Sequence, residues 1–312
     1  MKLASYLYRD TVSCGIVTDS GIIDIPANTD RANKLNSIKE MLTKGPAAYA
    51  VVEQLAASVQ ERIPLEEVRL LAPLPQPGKL LALAGNYRKH LEETQWLDRT
   101  FDDQATTTNP WPFIMPSTVL TETGTEIAWP AYSEQVDYEI ELAIVIGQTI
   151  KCVSPERAAA AIAGYTIAND ISARSTTFKE GRKDRPRDDY FDWLMGKWSD
   201  GFLPLGPWIV TTDEIGDPQD LEMELKVNGQ TRQKSNTSQM IFSVGQIVSF
   251  ISHLMTLEPG DVVITGTPHG VGAADGRFLN PGDMMEGSIE KIGVLTNTLG
   301  SRPDAFYKAF IW

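Results

Sequence analysis

Three acidic residues alternate along one short stretch of the chain. Asp137, Glu139 and Glu141 stand two positions apart at the head of the apolar run LAIVIG. Alternate residues of a β-strand face the same side, so a strand here would project three carboxylates together. Like charges on one face are costly without a cation among them, and carboxylate oxygens suit Mg²⁺ first, with Mn²⁺ or Ca²⁺ as alternatives. The other interpretation of this spacing is an exposed edge strand with a solvated acidic face.

A further carboxylate favours the metal interpretation. Asp170 follows Asn169 at the end of a short apolar run. Loops at strand ends are where functional groups collect, although a single aspartate there would be an ordinary turn residue. Together with the alternating acids, Asp170 offers another oxygen ligand for a cation.

A histidine and a glutamate three positions apart offer acid–base chemistry. His90 and Glu93 follow the sequence GNY. On a helix these two side chains lie side by side, so the carboxylate can orient the imidazole and stabilise its charge when it acts as a general base. The same spacing is also common among surface ion pairs. The other histidines have weaker claims, since His253 lies on an amphipathic stretch and His269 in a glycine-rich turn.

Several further residues could contact a substrate. Lys197 and Arg174 could hold a substrate carboxylate or a developing oxyanion, or they could be surface residues. The loop 266–272 is rich in glycine but lacks the spacing of a phosphate-binding motif. We interpret it as a tight loop that presents backbone N–H groups and the Thr267 hydroxyl to a small anion such as a carboxylate. We also expect Tyr87, in the GNY sequence, to contact the substrate.

The composition limits the classes of partner. The chain has 312 residues, 42% hydrophobic and 22% charged, which is ordinary for one large or two modest globular domains. Its net charge of −13 gives no global field that would attract nucleic acid or anionic membranes. Two cysteines cannot form a disulfide framework, and no segment resembles a signal or a membrane anchor. We therefore expect a cytoplasmic protein with a small-molecule substrate and neither nucleic acid nor membrane as partner.

Two domains are expected to position these residues. The proline-rich segment APLPQPG, 72–78, separates a small N-terminal α+β domain, 1–74, from a larger domain, 75–312. Apolar β-branched runs predict strands in the larger domain at 79–85, 136–147, 164–170, 206–212 and 261–267. Asn228-Gly229 predicts a hairpin turn, and Ser243 with Gln246 predicts the capped start of a helix. The fold class is therefore α+β and predominantly β.

Two polar, irregular stretches are longer than ordinary connections. They span 98–118 and 178–192, and each is interpreted as a lid over the substrate. Within the pocket, Trp198 and Phe178 are expected to define size and polarity.

The ordered set of motifs resembles the fumarylacetoacetate hydrolase family. The matching segments are GNYRKHLEE, DYEIELAIVIG, GYTIANDISAR, MGKW, LKVNG and MTLEPGDVVITGTPHGVG, which span about residues 79–298. The resemblance implies a mixed β-sandwich roll for the large domain, a homodimer, and a divalent metal held by three carboxylates. Residue by residue, it implies the metal ligands Glu139, Glu141 and Asp170. It implies the catalytic groups His90, Glu93 and Lys197. Asp137 matches no ligand of the family, so we expect it to support the ligands without touching the metal.

The resemblance also implies the reaction class. Its substrates are small carboxylates with a 2-keto, 1,3-dicarbonyl or enol unit, so we expect a hydrolase that cleaves a C–C bond in an acylpyruvate, fumarylpyruvate or ketodeoxy sugar acid. A decarboxylase or isomerase of a β-keto acid or 2-hydroxydienoate would use the same site, and a non-catalytic ligand-binding member is a further alternative. Arg174 is followed by STT where members often carry R-D-x-x-Q, and 113–116 lacks a common lysine. These departures lie in segments expected to face the substrate, so they affect the identity of the substrate. They leave the metal ligands and the His90–Glu93 pair intact.

Overall fold

Strands and short helices alternate along the chain. The computed structural model describes residues 1–30, 33–94 and 108–309. The strands are β1 (Lys2–Tyr8), β2 (Thr11–Thr18), β3 (Gly21–Asp24), β4 (Arg69–Leu70), β5 (Leu80–Ala84), β6 (Trp111–Ile114), β7 (Leu120–Thr121), β8 (Glu126–Ile127), β9 (Ser133–Asp137), β10 (Ile140–Ile146), β11 (Ile162–Asn169), β12 (Ser172–Thr176), β13 (Leu203–Thr211), β14 (Glu222–Val227), β15 (Gln230–Asn236), β16 (Val262–Ile264), β17 (Met284–Ile289) and β18 (Gly293–Leu299). The helices are α1 (Ile25–Asn28), α2 (Ile38–Lys44), α3 (Pro46–Ser58), α4 (Arg88–Glu93), α5 (Pro155–Ala159), α6 (Asp188–Met195), α7 (Thr212–Ile215), α8 (Val244–Leu254) and α9 (Gly272–Asp275). Single 3₁₀ turns lie at Leu65–Glu67, Ser117–Val119, Thr177–Lys179 and Thr237–Gln239.

One large mixed sheet extends from the N-terminal strands to the site. Its strand order is β3-β2-β1-β13-β11-β10-β16-β5-β6. β1 pairs antiparallel with β13, with Lys2 opposite Val210, so the predicted N-terminal domain shares this sheet with the rest of the chain. The domain boundary after residue 74 remains a prediction, and Leu74 itself is buried in a core cluster with residues of both parts.

A second sheet packs against the first. Its order is β15-β14-β17-β18-β8. Buried side chains of both sheets, among them Ile140, Ile167, Leu225 and Met285, form one continuous apolar cluster between them. On the other face of the large sheet, α2 and α3 contribute Met41 and other apolar residues to a second cluster. The fold is thus α+β and predominantly β, as predicted.

The acidic strand is divided where the sequence predicts continuity. β9 ends at Asp137, which lies opposite Ser172 in a separate two-stranded ladder, and β10 begins at Ile140. The chain changes sheets between these residues. Asp137, Glu139 and Glu141 therefore do not share the face of one strand, and that part of the prediction is wrong.

The two predicted lid segments differ in what the structure describes. Segment 178–192 includes the start of α6, and Arg182 joins Asp192 by two hydrogen bonds of 2.7 and 2.9 Å. Residues 98–107 of the other segment lie outside the described residues, and its described part contains β6. Closure of either segment over a substrate remains a prediction.

Helix α8 begins as its capping box predicts. The Ser243 hydroxyl accepts a hydrogen bond from the Gln246 N–H, and the Gln246 side chain accepts one from the Ser243 N–H. This helix has eleven residues. Within the described part of the chain, every helix is too short or too polar to cross a lipid bilayer.

Candidate active site

Three carboxylates meet at one end of the paired strands β10 and β11. Glu141 lies in β10, Glu139 precedes it, and Asp170 follows β11, while Ile140 pairs with Asn169 between them. One carboxylate oxygen from each acid lies within 4.8 Å of the others. All three side chains are buried, and they line a cavity of about 290 Å³. The structure thus brings together the predicted ligands, and their binding of a metal remains a prediction.

Two cations, the buried Lys197 and the partly buried Arg174, share these acids. Lys197 Nζ donates to Glu139 Oε2 at 2.7 Å and to Asp170 Oδ2 at 2.8 Å. Arg174 pairs with Glu139 and donates from Nε to Asp137 Oδ2 at 3.0 Å. Both cations also line the cavity, as their predicted roles require.

The positive charge is unevenly shared among the acids. Burial raises the pKa of Glu141 well above its usual range, and the neighbouring Asp170 and Glu139 raise it further. Burial also raises the pKa of Asp170, to about 6, although Lys197 opposes the change. Burial acts in the same direction on Glu139, but Lys197 and Arg174 outweigh it and lower that pKa to about 2. The positive charge therefore compensates the burial of Glu139, compensates that of Asp170 only in part, and leaves Glu141 without an ion pair among the described residues.

These residues fit a divalent metal ion. Asp170 Oδ1 is buried and has no hydrogen-bond partner among the described residues. The donor atoms are all carboxylate oxygens, which Mg²⁺ and Mn²⁺ prefer. The acids of the cluster outnumber its cations, the buried Lys197 and the partly buried Arg174, by two, so one divalent ion balances the charge. The acids are Asp137, Glu139, Glu141 and Asp170.

The predicted histidine–glutamate pair forms at the rim of the same cavity. His90 and Glu93 lie on α4, and His90 Nδ1 is 3.0 Å from Glu93 Oε1. The carboxylate accepts, so the hydrogen-bond network assigns the proton to Nδ1 and leaves the Nε2 lone pair available. The pair has the arrangement of a carboxylate-oriented general base.

The glycine-rich loop holds carboxylates of the protein itself. Its backbone N–H groups donate as follows: Gly266 to Glu141, Gly270 to Glu93 and Gly272 to Asp137. The sequence predicts that this loop presents its N–H groups to a small external anion. The structure shows that these donors orient the acids of the site instead.

The position of Gly270 excludes a residue with a side chain. Its φ of +100° lies in the region that side chains disfavour, and a Cβ there would lie 2.3 Å from the Arg232 carbonyl oxygen. The neighbouring Thr267 lines the cavity, but its hydroxyl donates to the Ile140 carbonyl and accepts from Gln233. A contact between Thr267 and substrate remains a prediction.

Other predicted pocket residues lie elsewhere. The Tyr87 hydroxyl donates to Met223 Sδ in the core, and Tyr87 is not among the described residues that line the cavity. This placement gives no support to a substrate contact. Phe178 packs against Tyr132, and Trp198 is partly exposed outside the cavity.

Trp193 and Phe113 form the aromatic wall instead. Their rings meet edge to face with centroids 5.1 Å apart. The sequence analysis linked segment 113–116 to the substrate without assigning Phe113 a role, and it missed Trp193. The helical phase of α6 does not single out Trp193, because Tyr190 lies three residues before it on the same face and their ring centroids are 6.0 Å apart.

Comparison with known proteins decides the family. Residues 79–300 match the sequence model of the fumarylacetoacetate (FAA) hydrolase C-terminal domain. The chain belongs to the fumarylacetoacetate hydrolase family. It is similar to the mitochondrial oxaloacetate tautomerase FAHD2A of Bos taurus, with 36% identity over 279 residues that cover 89% of this chain and 83% of the relative. It is also similar to maleylpyruvate hydrolase of Aquipseudomonas alcaligenes, with 39% identity over 297 residues that cover 92% of this chain and 96% of the relative.

A solved structure supports both the fold and the class of metal. Maleylpyruvate hydrolase from Sphingobium sp. SYK-6, in complex with manganese(II) and pyruvate, matches with a TM-score of 0.75 and 29% identity, and the match covers 97% of this chain and 100% of that chain. The manganese of that relative and the buried acidic triad here both point to divalent metal binding. The named activities of the relatives differ, so family membership places this chain among enzymes and leaves its reaction open.

Proposed function

We propose that this protein is a divalent-metal-dependent hydrolase that cleaves a C–C bond in an acylpyruvate, a small 2,4-dioxo acid. The observation that carries the proposal is the His90–Glu93 pair, which lines the same cavity as the acidic triad. Simple binding of a ligand requires no oriented base. The cavity of about 290 Å³ suits a small polar substrate, and relatives named maleylpyruvate hydrolase support the reaction class.

Glu139, Glu141 and Asp170 would hold the metal, with Mg²⁺ or Mn²⁺ as the ion. When bound there, the ion supplies Lewis-acid polarisation of the substrate carbonyl and stabilises negative charge on its oxygens. Arg174 and Lys197 keep Glu139 ionised, so this ligand is ready at neutral pH.

His90 performs the proton transfers in this mechanism. Its Nε2 takes a proton from water, and Glu93 stabilises the imidazolium that results. The hydroxide attacks the acyl carbonyl, the bond between that carbon and C3 of the pyruvate unit breaks, and the electron pair passes to the pyruvate enolate. The imidazolium then returns the proton to C3. One water and one acylpyruvate thus give one carboxylic acid and one pyruvate.

Lys197 supports the charge that develops on the substrate. Its ammonium has three N–H donors, and Glu139 and Asp170 accept two of them. The third donor can reach a substrate oxygen in the cavity that Lys197 lines. Held by two acids in a buried position, this donor needs little reorganisation as the oxyanion forms.

A second reaction has support from the relatives. In an oxaloacetate tautomerase, the same base would take a proton from carbon, and no C–C bond would break. A decarboxylase would likewise need no attacking water. Among these reactions, hydrolysis alone builds a solvent oxygen atom into a new carboxylic acid group.

The deciding experiment uses isotopically labelled water. The full chain, loaded with Mn²⁺, is incubated with acetylpyruvate and separately with oxaloacetate in H₂¹⁸O. The proposal predicts acetate that carries ¹⁸O, together with stoichiometric pyruvate. Enol–keto exchange of oxaloacetate without cleavage of acetylpyruvate identifies a tautomerase, and pyruvate with CO₂ identifies a decarboxylase. An absence of turnover with a panel of 2,4-dioxo acids, oxaloacetate and ring-cleavage diacids points to a non-catalytic member.

A further inference from the structure

A second cavity, of about 490 Å³, adjoins the charged one. Side chains of β6, α6 and α8 form it, including Trp111, Tyr190, Phe250 and Leu254. All of its lining residues that the structure describes are apolar or aromatic, and no lysine, arginine or histidine is among them. This cavity is thus suited to an uncharged group.

The two cavities share a wall. Ala84, Phe113 and Trp193 line both of them. Lys197 Nζ lies 5.7 Å from the centre of the Trp193 ring, and the Phe113 ring packs edge to face against Trp193. A ligand that passes this indole therefore moves from a charged surface to an apolar one.

Large apolar side chains beside the second cavity remain exposed to solvent. Ile247 and Ile251 of the apolar stripe of α8 are fully buried, whereas Leu254, the next residue of the stripe, is 54% exposed. Trp111 on β6 is 51% exposed. Large apolar side chains that remain exposed around a concavity are typical of a binding surface.

We infer that the second cavity receives the acyl end of the substrate and selects an apolar alkanoyl or aroyl group over an acid-terminated one. The inference rests on the proposed function, which places the keto-acid end of the substrate against Glu139, Glu141 and Asp170. An acyl chain then continues past Trp193. A terminal carboxylate, as in maleylpyruvate, would lose part of its water there without gaining a cation among the described lining residues. Each buried methylene would raise affinity about fourfold.

Binding can be measured without bond cleavage. Simple 2-oxo acids keep the chelating end of the substrate but lack the second carbonyl at which hydrolysis occurs. Calorimetric titration of the Mn²⁺-loaded chain with pyruvate, 2-oxooctanoate and 2-oxooctanedioate compares no tail, an apolar tail and a tail of equal length that ends in a carboxylate. We expect 2-oxooctanoate to bind at least tenfold more tightly than pyruvate, and 2-oxooctanedioate to bind no more tightly than pyruvate. Equal affinity for pyruvate and 2-oxooctanoate, or tighter binding of 2-oxooctanedioate than of 2-oxooctanoate, overturns the inference.

A charged side chain introduced into the second cavity tests whether the tail of the ligand binds there. Leu254→Arg introduces a cation at a half-exposed position, and it should lower the affinity ratio of 2-oxooctanoate to pyruvate at least fivefold while it strengthens 2-oxooctanedioate binding. Val294→Arg, at a 50% exposed position on β18 away from both cavities, is the matched control and should leave the ratio unchanged. An unchanged ratio in Leu254→Arg contradicts the inference. If Leu254→Arg also has a lower molar mass in solution than the natural chain, as measured by light scattering, the residues of the second cavity form a contact between copies of the chain.

Hydrolysis of acetylpyruvate and hexanoylpyruvate separates this inference from the function on which it rests. Tail-dependent binding of the 2-oxo acids without cleavage of either acylpyruvate leaves the apolar subsite standing and overturns the hydrolase. Cleavage of both with equal kcat/KM, together with binding that ignores the tail, supports the hydrolase and overturns the subsite.

Discussion

The backbone N–H of Gly270 donates to both carboxylate oxygens of Glu93, at 3.0 and 2.9 Å. Glu93 in turn accepts from His90 Nδ1 at 3.0 Å. The same loop contacts the metal cluster, because the Gly266 N–H donates to Glu141. One loop therefore fixes the proposed base and one proposed metal ligand relative to each other.

Substitution of Gly270 tests this arrangement. In Gly270→Ala, the added Cβ would lie 2.3 Å from the Arg232 carbonyl oxygen at a φ of +100°, so the loop must move and take its N–H away from Glu93. We expect kcat to fall at least about tenfold, because small displacements of catalytic groups are costly. Gly276→Ala is the control, since its φ is +79° and nothing lies within 4 Å of the new Cβ. Steady-state kinetics that show equal kcat in both variants would argue against a positioning role for Gly270.

Removal of the imidazole should separate metal binding from catalysis. His90→Asn eliminates the base, and we expect hydrolysis of acetylpyruvate to fall by about 10²–10⁴. The triad is untouched, so Mn²⁺ affinity measured by calorimetry should change little. His253→Asn, on an exposed position of α8, is the control. Full hydrolysis by the His90 variant would refute the assignment of the base.

Loss of one carboxylate charge from the triad should weaken the metal site. Glu141→Gln preserves the shape of the side chain but removes the negative charge that a divalent ion would balance. We expect Mn²⁺ affinity to fall at least about tenfold by calorimetry, with a parallel loss of turnover. Glu134→Gln, at an exposed position on β9, removes the same charge away from the site and should bind Mn²⁺ like the natural chain. Equal affinity in the two variants would contradict the proposed ligand set.

The stabilisation that Mn²⁺ gives should grow with pH. Burial raises the pKa of Asp170 to about 6, so the folded chain holds this proton more tightly than the unfolded chain does. The metal-free fold therefore gains stability from this group at low pH and loses that contribution as pH rises through about 6. Bound metal replaces the proton, so the rise in Tm on adding Mn²⁺ after chelation should be larger at pH 7 than at pH 5. Calorimetric scans that give an equal rise at both pH values would contradict this linkage.

The spacing of nearby residues was sufficient to predict features whose geometry depends on neighbours in the sequence. The three-residue separation of His90 and Glu93 produced their contact on α4, and the capping box at Ser243 produced the start of α8. Asn228 and Gly229 both adopt positive φ in the turn between β14 and β15, as a two-residue hairpin requires. These features depend on a few adjacent dihedral angles, which residue types predict.

Contacts between segments that are distant in the sequence could not be predicted from local residue patterns. Asp137 leaves the acidic face because the N–H groups of Gly272 and Ala273 hold its carboxylate, and these donors lie more than 130 residues away along the chain. The acceptors of the glycine-rich loop were unpredictable for the same reason. The family resemblance indicated that Asp137 is no ligand, but it gave no reason. The reason is the close approach of the loop.

The central claim is that one divalent cation is held between Glu139, Glu141 and Asp170. Crystals of the full chain grown with Mn²⁺ can be measured at the manganese absorption edge, where anomalous scattering distinguishes the ion from water and lighter ions. We predict a single strong anomalous peak among these three carboxylates, within reach of all of them. A peak elsewhere, or no peak at a concentration of Mn²⁺ that supports full turnover, would contradict the claim.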